Sequence, residues 1–97
     1  MKIEIESMGL PTLSKLIGKK TSVELNKKAA TVRDLVSLLV KSHGKKMNQI
    51  LLDSEGELDL TIQVMINDEG FLARNEYAQR ELREGDRVRF MLLVGGG

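Results

Sequence analysis

Cysteine is absent from the 97 residues. That excludes disulfides, thiolate metal sites and a cysteine nucleophile, and it fits a reducing compartment. Tryptophan is also absent, and one Tyr and two Phe are the only aromatic residues, too few for a base-stacking platform. The single histidine, His43, has no histidine companion for a metal site and no partner for a serine triad. A formal net charge of +1 gives no strong pull toward nucleic acid or membrane. No apolar run approaches the length needed to span a bilayer. The opening Met1-Lys2-Ile3-Glu4 alternates apolar with charged residues, unlike a signal peptide, so cytoplasm is the expected location. Glycine-rich phosphate loops are missing too, because the glycine run ends the sequence rather than preceding a helix.

What remains is one small domain with an aliphatic core. Hydrophobic residues make up 41% and charged residues 30%, ordinary proportions for a soluble globular chain. Met1, Ile3 and Ile5 alternate with Lys2, Glu4 and Glu6, which predicts a half-buried strand over residues 1–7. Met8-Gly9-Leu10-Pro11 ends it, and Thr12 is expected to cap a helical turn that stops at Gly18. Thr21, Val23 and Leu25 form a second short strand, joined to the first by a connection too long for a tight hairpin.

The clearest helix begins at Thr31. That residue is a good N-cap, and Asp34 at the third helical position completes a capping box. Val32, Leu35, Val36, Leu39 and Val40 form one apolar stripe, and Gly44 supplies the C-cap. Met47, Ile50 and Leu51 suggest another short helix, and Asp53-Ser54-Glu55-Gly56 a turn. A third strand spans residues 61–67, with Ile62, Val64 and Ile66 inward. A hairpin turn at Asn67–Gly70 leads to a short fourth strand at Phe71–Arg74, and a last strand runs from Asp86 to Val94 with Val88, Phe90, Leu92 and Val94 inward. One main helix can then cover one face of a mixed sheet, leaving the other face wet.

The expected outward row is polar except at Met65, Met91 and Leu93, two of which adjoin the chain end. With Val94, these residues form a candidate partner-binding patch, methionine being suited to adaptable contacts. Arg87 and Arg89 face Glu4 and Glu6 as candidate cross-strand ion pairs. Gly95-Gly96-Gly97 follows directly. Without Cβ atoms such a tail is thin enough for a narrow channel, and from Leu93 to the terminus it reaches about 17 Å when extended. Residues 1–94 are therefore expected to form the domain and 95–97 a flexible tail.

Other constellations are weak. Asp53, Glu55, Glu57 and Asp59 hint at a calcium loop, but the glycine is misplaced and the closing Glu is missing. The pairs Lys19-Lys20, Lys27-Lys28 and Lys45-Lys46 read as solvated loops.

The opening strand, Thr31-Val32-Arg33-Asp34-Leu35, and Leu82-Arg83-Glu84-Gly85-Asp86-Arg87-Val88 followed by one strand and terminal glycines together resemble the ThiS/MoaD family of sulfur carriers. The long first connection is similar to that of the molybdopterin synthase small subunit. The resemblance implies an α+β, ubiquitin-like β-grasp fold. It also implies a carrier without catalytic residues of its own and without a stably bound cofactor. Gly97 would be the adenylation and thiocarboxylate site, with Gly95 and Gly96 as the tail. An E1-like adenylyltransferase of the MoeB/ThiF type would spend ATP on Gly97, and a synthase large subunit would accept the sulfur. The same activated tail also allows a ubiquitin-like modifier joined to target lysines. A β-grasp binding module with an inert tail is the third possibility.

Overall fold

The computed structural model describes residues 1–92; Leu93, Val94 and Gly95–Gly97, all singled out above, lie outside the described residues. Four strands form one sheet in the order β2-β1-β4-β3: β1 Lys2–Met8, β2 Lys20–Glu24, β3 Ile62–Ile66 and β4 Arg87–Leu92. β1 pairs antiparallel with β2 and parallel with β4, and β3 pairs antiparallel with β4. The first and last strands are thus the interior pair. Three helices cover one face: α1 Pro11–Ile17, α2 Val32–His43 and α3 Lys45–Leu51. None of the described helices is long and apolar enough to cross a membrane.

The alternating residues do what their period demands. Ile3, Ile5, Val64, Ile66, Val88 and Phe90 are fully or almost fully buried beneath Leu35, Leu39, Leu13, Met47 and Leu51 of the helices. This is one aliphatic core with a single buried ring, as the near-absence of aromatics requires. α2 is capped as its sequence indicates. The Thr31 N–H donates to Asp34 Oδ2 at 2.8 Å, the capping box is closed, and Gly44 turns the chain at φ +72°.

α1 occupies the connection between β1 and β2. Its start differs from expectation. Pro11, not Thr12, opens the helix, with Leu10 at the N-cap and no side-chain cap. Proline has no N–H to satisfy in the first turn and its φ is already helical, so a hydroxyl cap is dispensable. Ser7 is buried and its hydroxyl meets Ser14 Oγ at 2.7 Å, tying β1 to α1.

The expected strand at Phe71–Arg74 does not form. Only a single bridge joins Phe71 to Met65, and residues Arg74–Glu76 make a 3-10 turn instead. Phe71 is 54% exposed, and only Leu72 packs against the core, its N–H donating to the Val64 carbonyl at 2.9 Å, so a single inward residue holds this segment beside the sheet. The chain instead becomes a strap across the start of α2. The Arg33 N–H donates to the Tyr77 carbonyl at 2.9 Å, and the Leu82 N–H to the Ala30 carbonyl at 2.7 Å.

Candidate functional site

β4 leads to the glycine tail, and the segment before it fixes its position. Arg83–Asp86 form a turn closed by the Asp86 N–H on the Arg83 carbonyl, at 3.0 Å. Gly85 sits at φ +81°, the value a type II turn requires at its third residue. The Gly85 N–H donates to the Lys2 carbonyl at 2.8 Å, and the Glu84 carboxylate accepts from the Lys2 N–H at 3.1 and 3.2 Å. Asp86 is buried. Its Oδ2 accepts from the Arg83 N–H at 2.8 Å and its Oδ1 from Asn67 Nδ2 at 3.0 Å. Asn67 Oδ1 in turn accepts from the Arg87 N–H at 3.0 Å. The Leu-x-x-Gly-Asp-x-Val motif is therefore a structural clamp that locks the start of β4 to β1 and to the end of β3.

At its far end β4 is held from both sides, Met91 opposite Met8 and Gln63, and Leu92 opposite Ile62. Leu92 belongs to the inner row, as its spacing suggests, yet it is 41% exposed. A Cβ placed on Gly9 would lie 3.7 Å from the Leu92 Cβ, so the turn after β1 passes close beside it without covering it. Met8 is 49% and Leu60 69% exposed. Leu60 precedes β3 at this same end of the sheet, so three of the exposed large apolar side chains stand where the chain leaves toward residue 93. Sequence reasoning missed Met8 and Leu60. Met8 carried a signal, since it continues the outward row of Lys2, Glu4 and Glu6 with an apolar residue. Asp59 anchors this end: its carboxylate accepts from Thr61 Oγ1 at 2.6 Å and from the Thr61 N–H at 2.9 Å, and these bonds hold it below the usual carboxylate range.

Met65 and Met91 are half-buried on the outer face. Met65 lies beside Arg89, whose Nη1 is 3.7 Å from its sulfur. Arg89 pairs with Glu6 at 3.1 Å, and both are largely covered. Arg87 does not pair with Glu4, although the two are opposite in register; it reaches Asp68 at 3.2 Å instead. The turn after β3 brings Asp68 within reach, while Glu4 has an exposed strand position in water.

The remaining candidates are accounted for locally. Asp53 Oδ1 accepts from the N–H groups of Glu55 and Glu57 at 2.8 and 3.0 Å, so it closes a turn. Among the described residues no three acidic or histidine side chains form a metal-binding group. His43 is exposed in the last turn of α2. A cavity of about 530 Å³ lies between α2 and the strap, floored by Val36, Val40, Leu52 and Leu58. Tyr77 lines it, its phenol pushed up by burial, and the Arg33–Glu57 pair crosses its rim at 2.8 Å.

The ThiS family model matches residues 12–97. No curated protein sequence matches. Among solved structures, SAMP1 from Haloferax volcanii is similar at a TM-score of 0.75 and 26% identity, with 100% of each chain covered. Urm1 from Trypanosoma brucei gives 0.68 and 25%, covering 99% of this chain and 95% of that one. The BexX/CysO complex of Amycolatopsis orientalis gives 0.68 and 24%, covering 98% and 99%. The sheet order, the capped helix and a family match over most of the sequence agree, and the chain belongs to the ThiS family of ubiquitin-like β-grasp proteins.

Proposed function

We propose that this protein is a sulfur carrier that works through the carboxylate of Gly97. The observation that carries the reading is the family match, which runs through the glycine tail to residue 97. The geometry supports it: β4, the strand that precedes the tail in sequence, is an interior strand clamped at both ends, and the exposed Met8, Leu60 and Leu92 stand at its far end. A tail delivered from a fixed point needs no catalytic group on the carrier itself.

A carboxylate resists nucleophiles because it is ionised at neutral pH. In the proposed cycle a Gly97 carboxylate oxygen attacks the α-phosphorus of ATP within an E1-like adenylyltransferase of the MoeB/ThiF type, and pyrophosphate leaves. A sulfide-level nucleophile then attacks the acyl carbon, AMP leaves with the bonding pair, and a thiocarboxylate remains. The chain has no cysteine, so no thiol of its own intercepts the acyl adenylate. A need for ATP in the partner supports a cytoplasmic setting for the proposed cycle. The connection holding α1 supports a molybdopterin-type synthase as the sulfur acceptor.

The likeness to SAMP1, a small archaeal modifier protein, favours a second reading in which the activated Gly97 is joined to target lysines. Intact-mass measurement after incubation with an E1-like enzyme, ATP and a sulfur donor separates the two. Exchange of one oxygen for sulfur is the expected result, and it disappears when Gly96 and Gly97 are deleted. Isopeptide adducts without the thiocarboxylate would establish the modifier. An unaltered mass with active enzyme would overturn both.

A further inference from the structure

We propose that the groove between α1 and α3 docks a short acidic segment of a partner protein, one with an aliphatic residue flanked by Asp or Glu. The groove is open and shallow, spans about 600 Å³, and is lined by Thr12, Lys15 and Leu16 of α1 and by Lys46, Gln49 and Ile50 of α3. Leu16 and Ile50 are partly buried and form its apolar floor; Lys15 and Lys46 are exposed at its rim. Thr12 and Gln49 add neutral hydrogen-bonding groups.

Charge complementarity identifies the occupant. Residues 10–20 and 41–50, which contain both groove walls, carry Lys15, Lys19, Lys20, Lys41, Lys45 and Lys46 and no Asp or Glu. They hold six of the fifteen Lys and Arg and none of the fourteen Asp and Glu, so the rest of the chain has nine cations against fourteen anions. A net charge near zero thus conceals a strong segregation along the sequence; of the six, Lys15 and Lys46 line the groove, whereas Lys20 stands opposite Glu6 and Lys41 lines the other cavity. Among the described residues none of these six lysines takes part in an ion pair. The unneutralised ammonium groups of Lys15 and Lys46 at the rim steer a carboxylate-rich partner and cost it little desolvation.

The floor decides against other polyanions. A nucleic-acid backbone has no aliphatic group to bury on Leu16 and Ile50, and the groove has neither an aromatic platform for bases nor an arginine fork for phosphates. A bilayer calls for apolar side chains that project, whereas these two are recessed. The groove belongs to the helical face, while Met65 and Met91 lie on the opposite face of the sheet. Its occupant therefore leaves that outer face free.

The test uses the full chain and a synthetic helical peptide of Glu and Leu with its leucines on one face. In an NMR titration the peptide is expected to shift the amides of residues 12–17 and 45–50. The affinity should fall with added salt, and should fall about tenfold in a Lys15→Glu/Lys46→Glu variant. Both lysines are exposed, so the variant is expected to keep its melting temperature. A Leu→Ser version of the peptide is expected to bind far more weakly. Equal binding of that version, of a single-stranded oligonucleotide or of anionic vesicles would overturn the proposal. So would shifts that follow protein concentration alone, the mark of self-association. The readout is independent of Gly97, so a failed sulfur-transfer assay and a failed titration report on different claims.

Discussion

Replacing Asp86 by Ala should destabilise the domain more than any other single change to a polar residue described above. Its carboxylate is buried and accepts two bonds, from the Arg83 N–H at 2.8 Å and from Asn67 Nδ2 at 3.0 Å. Hydrogen bonds to a charged group contribute about 1.5–3 kcal/mol each, and losing one partner strands the other in a poorly hydrated place. Two such bonds give a loss of about 3 kcal/mol or more, a large share of the roughly 5–15 kcal/mol that holds a domain together. At this chain length the melting temperature should fall by about 12 °C or more. Asp86→Asn keeps the shape but turns one acceptor into a donor facing a donor, so it should recover only part of the loss. Urea denaturation followed by circular dichroism measures the effect, with the slope against urea unchanged. A cycle of Asp86→Ala, Asn67→Ala and the double variant should show coupling of about 1 kcal/mol or more. A loss below about 1 kcal/mol for Asp86→Ala, or strict additivity in the cycle, would refute the clamp.

Asp34 sets a pH dependence. Its carboxyl is held below the usual range chiefly by the Lys27 ammonium, 2.6 Å away, and further by Thr31, against a smaller opposing effect of burial. A depressed carboxyl stabilises the fold above its unfolded pKa, about 3.9, and that contribution fades as pH falls through the folded value. Asp34→Ala should therefore cost about 1 kcal/mol at neutral pH, with a gap that closes below about pH 4; a gap of constant size would contradict this. At the tail end, Leu92→Asp and Met8→Asp should raise the carrier's KM in adenylation about tenfold, equivalent to about 1.4 kcal/mol, and leave kcat nearly unchanged. An unaltered KM would remove the apolar rim from the docking surface.

Strict alternation made β1, β3 and β4 readable, because a side chain every second residue leaves no choice of inner face. α2 was readable from Thr31 through Gly44, where cap, stripe and stop agree. The segment after Gly70 was not. Phe71-Leu72 looks strand-like locally, but forming a strand needs a neighbour on the sheet, and the strap gains more from the carbonyls and N–H groups around Ala30 and Arg33. The partner of Arg87 was hidden for a similar reason: strand register shows Glu4 opposite, but only the fold brings Asp68 around the turn. The groove between α1 and α3 was equally out of reach, since its two lysine-bearing walls are far apart along the chain. Lys15 and Lys46 were legible only as separate positions, and their meeting at one rim is a product of packing.

The parallel pairing of β1 with β4 joins the two ends of the sequence at the middle of the molecule. During synthesis the opening strand has only half of its neighbours until the last one is made, and such long-range closure is slow. A chain cut short before β4 lacks the strand that joins β3 to β1, and has no finished surface to show an activating enzyme. In the proposed role, the strand that completes the domain is also the one next to the reactive residues in sequence, so recognition of the folded surface doubles as a check that β4 has been made and docked.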